Sequence, residues 1–226
     1  MSAAVRRLAD GLSGEDREHV AAMLLALRSE GIAENRILAA FEATPRTLFV
    51  ASGDRDRAYD AFPIAIECGQ TLPPPAVQAR IIQAAAIEPH HKVLEVGTGS
   101  GFAAAVMARL AERVTSVERY RTLAELAEER MASLRLGNVT IAQHDGLEGY
   151  ARFAPYDRIV VQGAVGQLPL ALAAQLKPEG ILVAPIGRAG AEQVLTRFVA
   201  REKHIDATPL GAIRMIALSP GRAAAL

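Results

Sequence analysis

The chain has 226 residues, half of them hydrophobic and 22% charged, which is the composition of an ordinary soluble globular protein with room for one full core. Lysine plus arginine equals aspartate plus glutamate at 25 each, so the charge balance gives no electrostatic case for nucleic acid or an anionic membrane as a partner. A single cysteine excludes an intramolecular disulfide and a cysteine-based zinc cluster, and the lack of tryptophan weakens any reading based on stacked bases or sugars.

The opening residues, MSAAVRRLAD, lack the apolar core of a signal peptide, and no later run reaches transmembrane length, so a reducing cytoplasm is the expected compartment. In SGEDREHVAAMLLALRSEG, Ser13 precedes acidic residues and Val20, Met23, Leu24 and Leu27 share one face, which predicts a helix closed by Gly31. AENRILAAFEATP reads as a second helix, stopped before Pro45. Residues 46–75 read as loop, ending in CGQTLPPP, where three prolines rule out helix interior and central strand. PPAVQARIIQAAAIEP then gives a third helix with proline at its start.

From residue 92 the rhythm changes. KVLEV, RVTSVE, VTIAQHD, RIVVQG and GILVAPIG are short β-branched runs, with helical patterns between them at 102–111, 120–136 and 167–176. That alternation predicts an α/β fold: a doubly wound, mostly parallel, Rossmann-like sheet with helices on both faces beneath an N-terminal helical cover. Two further runs, EQVLTRFVARE and LGAIRMIAL, predict antiparallel strands at the C-terminal end.

VLEVGTGSGF carries the chemistry. A strand runs straight into Gly97, Thr98, Gly99, Ser100 and Gly101 and then a helix, and ligands in such sheets sit at the carboxyl ends of the strands. Ser100 can cap the helix. A dinucleotide fingerprint would need glycine at position 102, which is Phe102, and Glu95 would repel a pyrophosphate. S-adenosylmethionine has no phosphate and carries cationic amino and sulfonium groups, so Glu95 favours it. Glu118 closes the next strand at the right distance to accept from ribose hydroxyls, or else serves the dipole of the following helix. Asp145 and Gly146 end the third strand at the same edge, facing the adenine amino group or forming a plain Asp-Gly turn. Gln78, one turn into the third helix, faces either the cofactor's methionine end or solvent. His90 and His91 read as solvated loop residues and His144 as structural or adenine-lining; no metal site is expected.

With these positions placed, the chain resembles the class I S-adenosylmethionine-dependent methyltransferases and, more narrowly, is similar to the protein-L-isoaspartate (D-aspartate) O-methyltransferase family. The segments that carry the likeness are MLLALRSEGIAENRILAAFEATPRTLFV, AYDAFPIAIECGQT, VLEVGTGSGFAAAVMARL, GNVTIAQHDG, APYDRIVV and LPLALAAQLKPEGILVAPIG, with the region of Gln193. The resemblance implies methyl transfer from S-adenosylmethionine to an isoaspartyl carboxylate of damaged proteins or peptides, leaving S-adenosylhomocysteine. It also implies one domain, with residues 1–75 as N-terminal helices and substrate-side loop and 76–226 as the cofactor-binding core. A carboxylate is already an anion at pH 7, so such chemistry needs alignment and dehydration rather than a general base.

The chain departs from the family in three places. The family pattern Gly-Gln-Thr-Ile-Ser, whose serine is assigned to the active site, here ends in Pro73, which has neither hydroxyl nor N–H. Thr71 is retained, to supply a hydroxyl or as a turn threonine, so Thr71 and Pro73 are the candidate catalytic positions. Gln162-Gly163-Ala164 replaces Thr-Ala-Ala, and IRMIALSPG replaces an aromatic-Val-Pro ending. All three lie on the implied substrate side. A carboxyl methyltransferase retuned to another acceptor and a non-catalytic cofactor-binding homologue both stay open.

Overall fold

The computed structural model describes residues 14–223; Ser13, expected at the start of the first helix, lies outside them. Helix α1 (Gly14–Ser29) buries Val20, Met23 and Leu27, the spacing of one helical face. Helix α2 (Asn35–Glu42) buries Ile37, Leu38, Ala40 and Phe41 and gives way to a 3-10 turn at Arg46–Phe49.

The segment before the third helix is more ordered than a loop. Strands β1 (Ile64–Ile66) and β2 (Gln70–Leu72) form an antiparallel hairpin in which Ala65 pairs with Thr71. The prolines begin only where that short pairing ends, so their missing N–H groups cost no ladder bond. Helix α3 (Pro75–Ala85) carries proline at its N-terminus and stops where Ala86 turns left-handed, φ 47°.

Beyond α3 come β3 (Lys92–Val96), α4 (Phe102–Ala108), β4 (Arg113–Glu118), α5 (Arg121–Ser133), β5 (Val139–Gln143), β6 (Tyr156–Val161), α6 (Leu170–Ala173), β7 (Leu176–Ile186), β8 (Gln193–Ala200) and β9 (Ile205–Ile213). They build a 7-stranded sheet in the order β5-β4-β3-β6-β7-β8-β9. Pairing is parallel from β5 to β7 and antiparallel from β7 to β9. The chain lays β4 and β5 on one side of β3 and then returns to place β6 on the other. That reversal opens a crevice at the carboxyl ends of β3 and β6, the usual ligand position in an open α/β sheet.

One face of the sheet, through Val93, Val114, Val160, Val183 and Leu195, packs on α1 to α5 in a continuous apolar core. The other face, through Leu94, Val96, Val117, Val161 and Leu182, is covered by Leu172 of α6 and by Leu147, Tyr150 and Phe153. The second cover is slighter than the sequence pattern predicts: α6 has only 4 residues, because β7 starts at Leu176. The last strand also shifts, from the apolar run 210–218 to Ile205–Ile213, most of which is exposed. Backbone pairing with β8 defines it, and Pro209 is tolerated opposite Thr196 because β9 is the edge. No helix among the described residues is long and apolar enough to cross a membrane.

Candidate active site

The crevice is a cleft of about 910 Å3, counting the solvent at its mouth. One wall is the hairpin and the start of α3, through Gln70, Thr71, Leu72, Pro73 and Gln78. The floor is Val96, Gly97, Thr98, Gly99 and Ser100 from the turn after β3, with Gln162 after β6. The far end is Glu118, Arg119, Tyr120, Gly146 and Leu147, and Met215 to Ser219 cross the mouth.

The turn after β3 is held by its neighbours. Glu118 Oε2 accepts the Gly99 N–H at 2.9 Å, and Oε1 accepts those of Arg119 at 2.8 Å and Tyr120 at 3.0 Å. The carboxylate therefore fixes both the turn and the start of α5 and still has a lone pair for a ligand hydroxyl. The Thr98 hydroxyl is committed to Ser116 at 2.5 Å. Gly101, with φ +88°, is the N-cap of α4, so Ser100 is not; its hydroxyl takes only a long bond, 3.4 Å, from the Phe102 N–H. A Cβ at Gly101 would lie 3.0 Å from the Ala127 Cβ, so glycine allows both the backbone turn and the packing of α5 against it.

Two expected ligand contacts are otherwise engaged. Glu95 does not line the cleft: it is fully buried on the helix-covered face, and its Oε2 accepts from the Ser116 hydroxyl at 2.5 Å. Burial pushes its carboxyl up to about 8, the Ser116 bond opposing only in part, so it is largely neutral at pH 7. Asp145 caps the next turn through the Leu147 N–H at 3.0 Å and accepts the Gly221 N–H at 2.5 Å, leaving Gly146 to line the cleft. His91 is buried rather than solvated, with Nδ1 accepting from the Glu88 N–H, and His144 packs on Tyr150 outside the cleft lining. Among the described residues no group of three His, Cys, Asp or Glu is placed to hold a metal ion.

Three features escape a sequence reading. Arg46 is fully buried beneath Pro73 and Gln78 and donates to both; Pro-Arg in the text gives no sign of it. Both polar atoms of Gln162 are buried without a hydrogen-bond partner. Residues 215–219 form a strap: Ala164 donates to the Ile216 carbonyl at 2.8 Å and Leu218 to the Ala164 carbonyl at 2.9 Å, closing a bridge that a strand pattern cannot foretell.

The cleft suits S-adenosylmethionine. Gln162 lines the floor, and its donor and acceptor, closed off from solvent and unpaired, are a pair that an amino-acid end with carboxylate and ammonium would satisfy. Glu118 offers an acceptor for hydroxyls, and Val117, Gly146 and Leu147 line the far end with an apolar slot.

Residues 18–223 match the family model described as Protein-L-isoaspartate(D-aspartate) O-methyltransferase. The protein-L-isoaspartate O-methyltransferase of Azorhizobium caulinodans is 42% identical over 214 residues, 95% of this chain and 99% of its own. That of Maricaulis maris is 43% identical over 204 residues, 90% and 95% of the two chains. A solved protein-L-isoaspartate O-methyltransferase superposes with a TM-score of 0.80 at 27% identity, over 88% of this chain and 66% of that one. A Plasmodium falciparum protein solved in complex with S-adenosyl-L-homocysteine shares the fold, with a TM-score of 0.74 at 21% identity over 88% and 97%. The chain belongs to the protein-L-isoaspartate (D-aspartate) O-methyltransferase family and is an S-adenosylmethionine-dependent methyltransferase.

Proposed function

We propose that the cleft esterifies the free α-carboxylate of isoaspartyl residues in damaged proteins or peptides, the side-chain carboxyl being taken up in the β-linked peptide bond, with the far end and floor holding the cofactor and the hairpin wall facing the acceptor. The observation that carries this reading is the juxtaposition of Thr71 and Pro73 with the Gly97–Ser100 turn across one cleft. Bound S-adenosylmethionine supplies an electrophilic methyl group on a sulfonium.

Glu118 takes a ribose hydroxyl, Gly146 and Leu147 flank the adenine, and the Gly97, Thr98 and Gly99 backbone lies along the amino-acid end with Gln162. The hairpin and strap exclude water from the acceptor, which removes the hydration that would damp a carboxylate nucleophile. Thr71 and Pro73 set the direction of its approach. No protein group has to remove a proton, since the acceptor is anionic at neutral pH. Glu95 stays out of the chemistry: a neutral, buried carboxyl neither attracts a cation nor acts as a base.

The experiment pairs an isoaspartyl peptide with its normal-aspartyl twin and labelled S-adenosylmethionine. Base-labile methyl ester forms on the isoaspartyl peptide alone. Ester on neither peptide, with cofactor still binding by calorimetry, would overturn the reading in favour of a non-catalytic homologue.

A further inference from the structure

A buried cation normally meets a counter-ion, because an unpaired charge inside a protein is costly. The Arg46 guanidinium meets none among the described residues. Nε donates to the Ala58 carbonyl at 2.5 Å, Nη1 to Gln78 Oε1 at 2.8 Å and Nη2 to the Pro73 carbonyl, and the group stacks over the Phe102 ring at 4.7 Å. Burial lowers its pKa to about 9, which leaves it charged at neutral pH. Every neighbour is a neutral dipole, so the positive charge is passed outward rather than cancelled.

The outward path runs through Gln78. A guanidinium has only donors, so the Gln78 atom that faces Nη1 is the carbonyl oxygen and the amide nitrogen turns away from it. Nε2 has no hydrogen-bond partner among the described residues, and it is not one of the sealed, unsatisfied atoms. The residue is 4% exposed and lines the cleft, so what Nε2 reaches is the cleft itself. Leu72 and Pro73 beside it have no side-chain donor.

We propose that Gln78 donates through Nε2 to the methyl-acceptor carboxylate, with Arg46 as the positioning residue that fixes and polarises the amide. This rests on the methyl transfer proposed above. The acceptor anion then sits one amide away from a cation that lacks a counter-charge, and a charge-assisted donor stands in a wall that otherwise has no hydroxyl at position 73. The cofactor's own carboxylate has the same chemistry, and the test separates the two sources.

Gln78→Glu keeps an acceptor for Arg46 Nη1, and so the fold, while replacing the donor; Gln78→Met removes the donor without adding charge. Steady-state kinetics on the isoaspartyl peptide at saturating cofactor are paired with S-adenosylhomocysteine affinity by calorimetry and with melting temperature. The expected result is a peptide KM raised by about tenfold or more in both variants, the worth of one hydrogen bond to a charged group, with kcat and product affinity nearly unchanged. Adding Pro73→Ser to Gln78→Met returns a hydroxyl to the same wall and lowers KM again. An unchanged peptide KM in both variants of an active enzyme overturns this inference alone. So does a loss of product affinity with peptide KM unchanged, which hands the donor to the cofactor. A wild-type protein that forms no isoaspartyl ester overturns this inference and the function it rests on together.

Discussion

At the scale of single residues, Glu95 shows how a position in the text can mislead. It stands two residues before the glycine turn, which suggests a cofactor contact. Strand alternation puts Leu94 and Val96 on one face of β3 and Glu95 on the other, under the helices. Its burial has a thermodynamic signature. Between its ordinary value of 4.5 and the folded value of about 8, the native protein holds a proton that the unfolded chain has released. Stability therefore falls as pH rises through that window and levels off above about 8. Glu95→Gln lacks this proton, so its stability gain over wild type grows from nearly nothing at pH 4.5 to something on the order of 5 kcal/mol above pH 8. Thermal melts at pH 5 and pH 8.5 check it; a difference that does not change with pH means that Glu95 is ionised in the fold. The place of Glu118 in the cleft lining was legible because strand, spacing and residue type agree. Arg46 was not, because nothing local distinguishes a buried arginine from the solvated kind.

At the scale of elements, β3, β4 and the turn between β3 and α4 were plain in the sequence, since β-branched runs and glycines leave few other options. The tail was not. Its apolar residues look like a strand, yet the hydrogen-bonded strand is the more exposed Ile205–Ile213, and Met215 to Leu218 are freed to roof the cleft. Gly163 makes the seat for that roof: a Cβ there would come within 2.5 Å of Leu218 Cδ2 and 3.0 Å of the Ile216 carbonyl. Gly163→Ala thus lifts the strap, at an overpacking cost of about 1–3 kcal/mol. The expected outcome is a raised KM for S-adenosylmethionine and faster proteolysis within residues 214–223, with β3 to β7 intact by circular dichroism. Wild-type kinetics in this variant would show that the roof contributes nothing to binding.

At the scale of the whole molecule, the cleft draws on the ends of β3, β4, β5 and β6, the hairpin and the tail, so a ligand seated there ties together segments far apart in sequence. Binding to the native state alone stabilises it by about 2.7 kcal/mol at a hundredfold excess over Kd. For a chain of this size that is a melting shift of roughly 5–10 °C with S-adenosylhomocysteine. Glu118→Ala, which leaves the Gly99, Arg119 and Tyr120 N–H groups without their acceptor, cuts the shift sharply; a full shift in that variant removes Glu118 from the binding set. The global layout was readable from the alternation of strand and helix. The slight cover on the second face was not, because a four-residue helix leaves no period to detect.

Arg46 grips residue 73 by its main-chain carbonyl. Every amino acid carries that oxygen, so the anchor is blind to the side chain it holds. Position 73 is in effect an interchangeable fitting on a fixed mount: serine, proline or another residue can occupy it while the wall keeps its place. A saturation library at this one codon, screened against carboxylate acceptors of different shape, would sample changes in selectivity while the anchor of the wall stays in place.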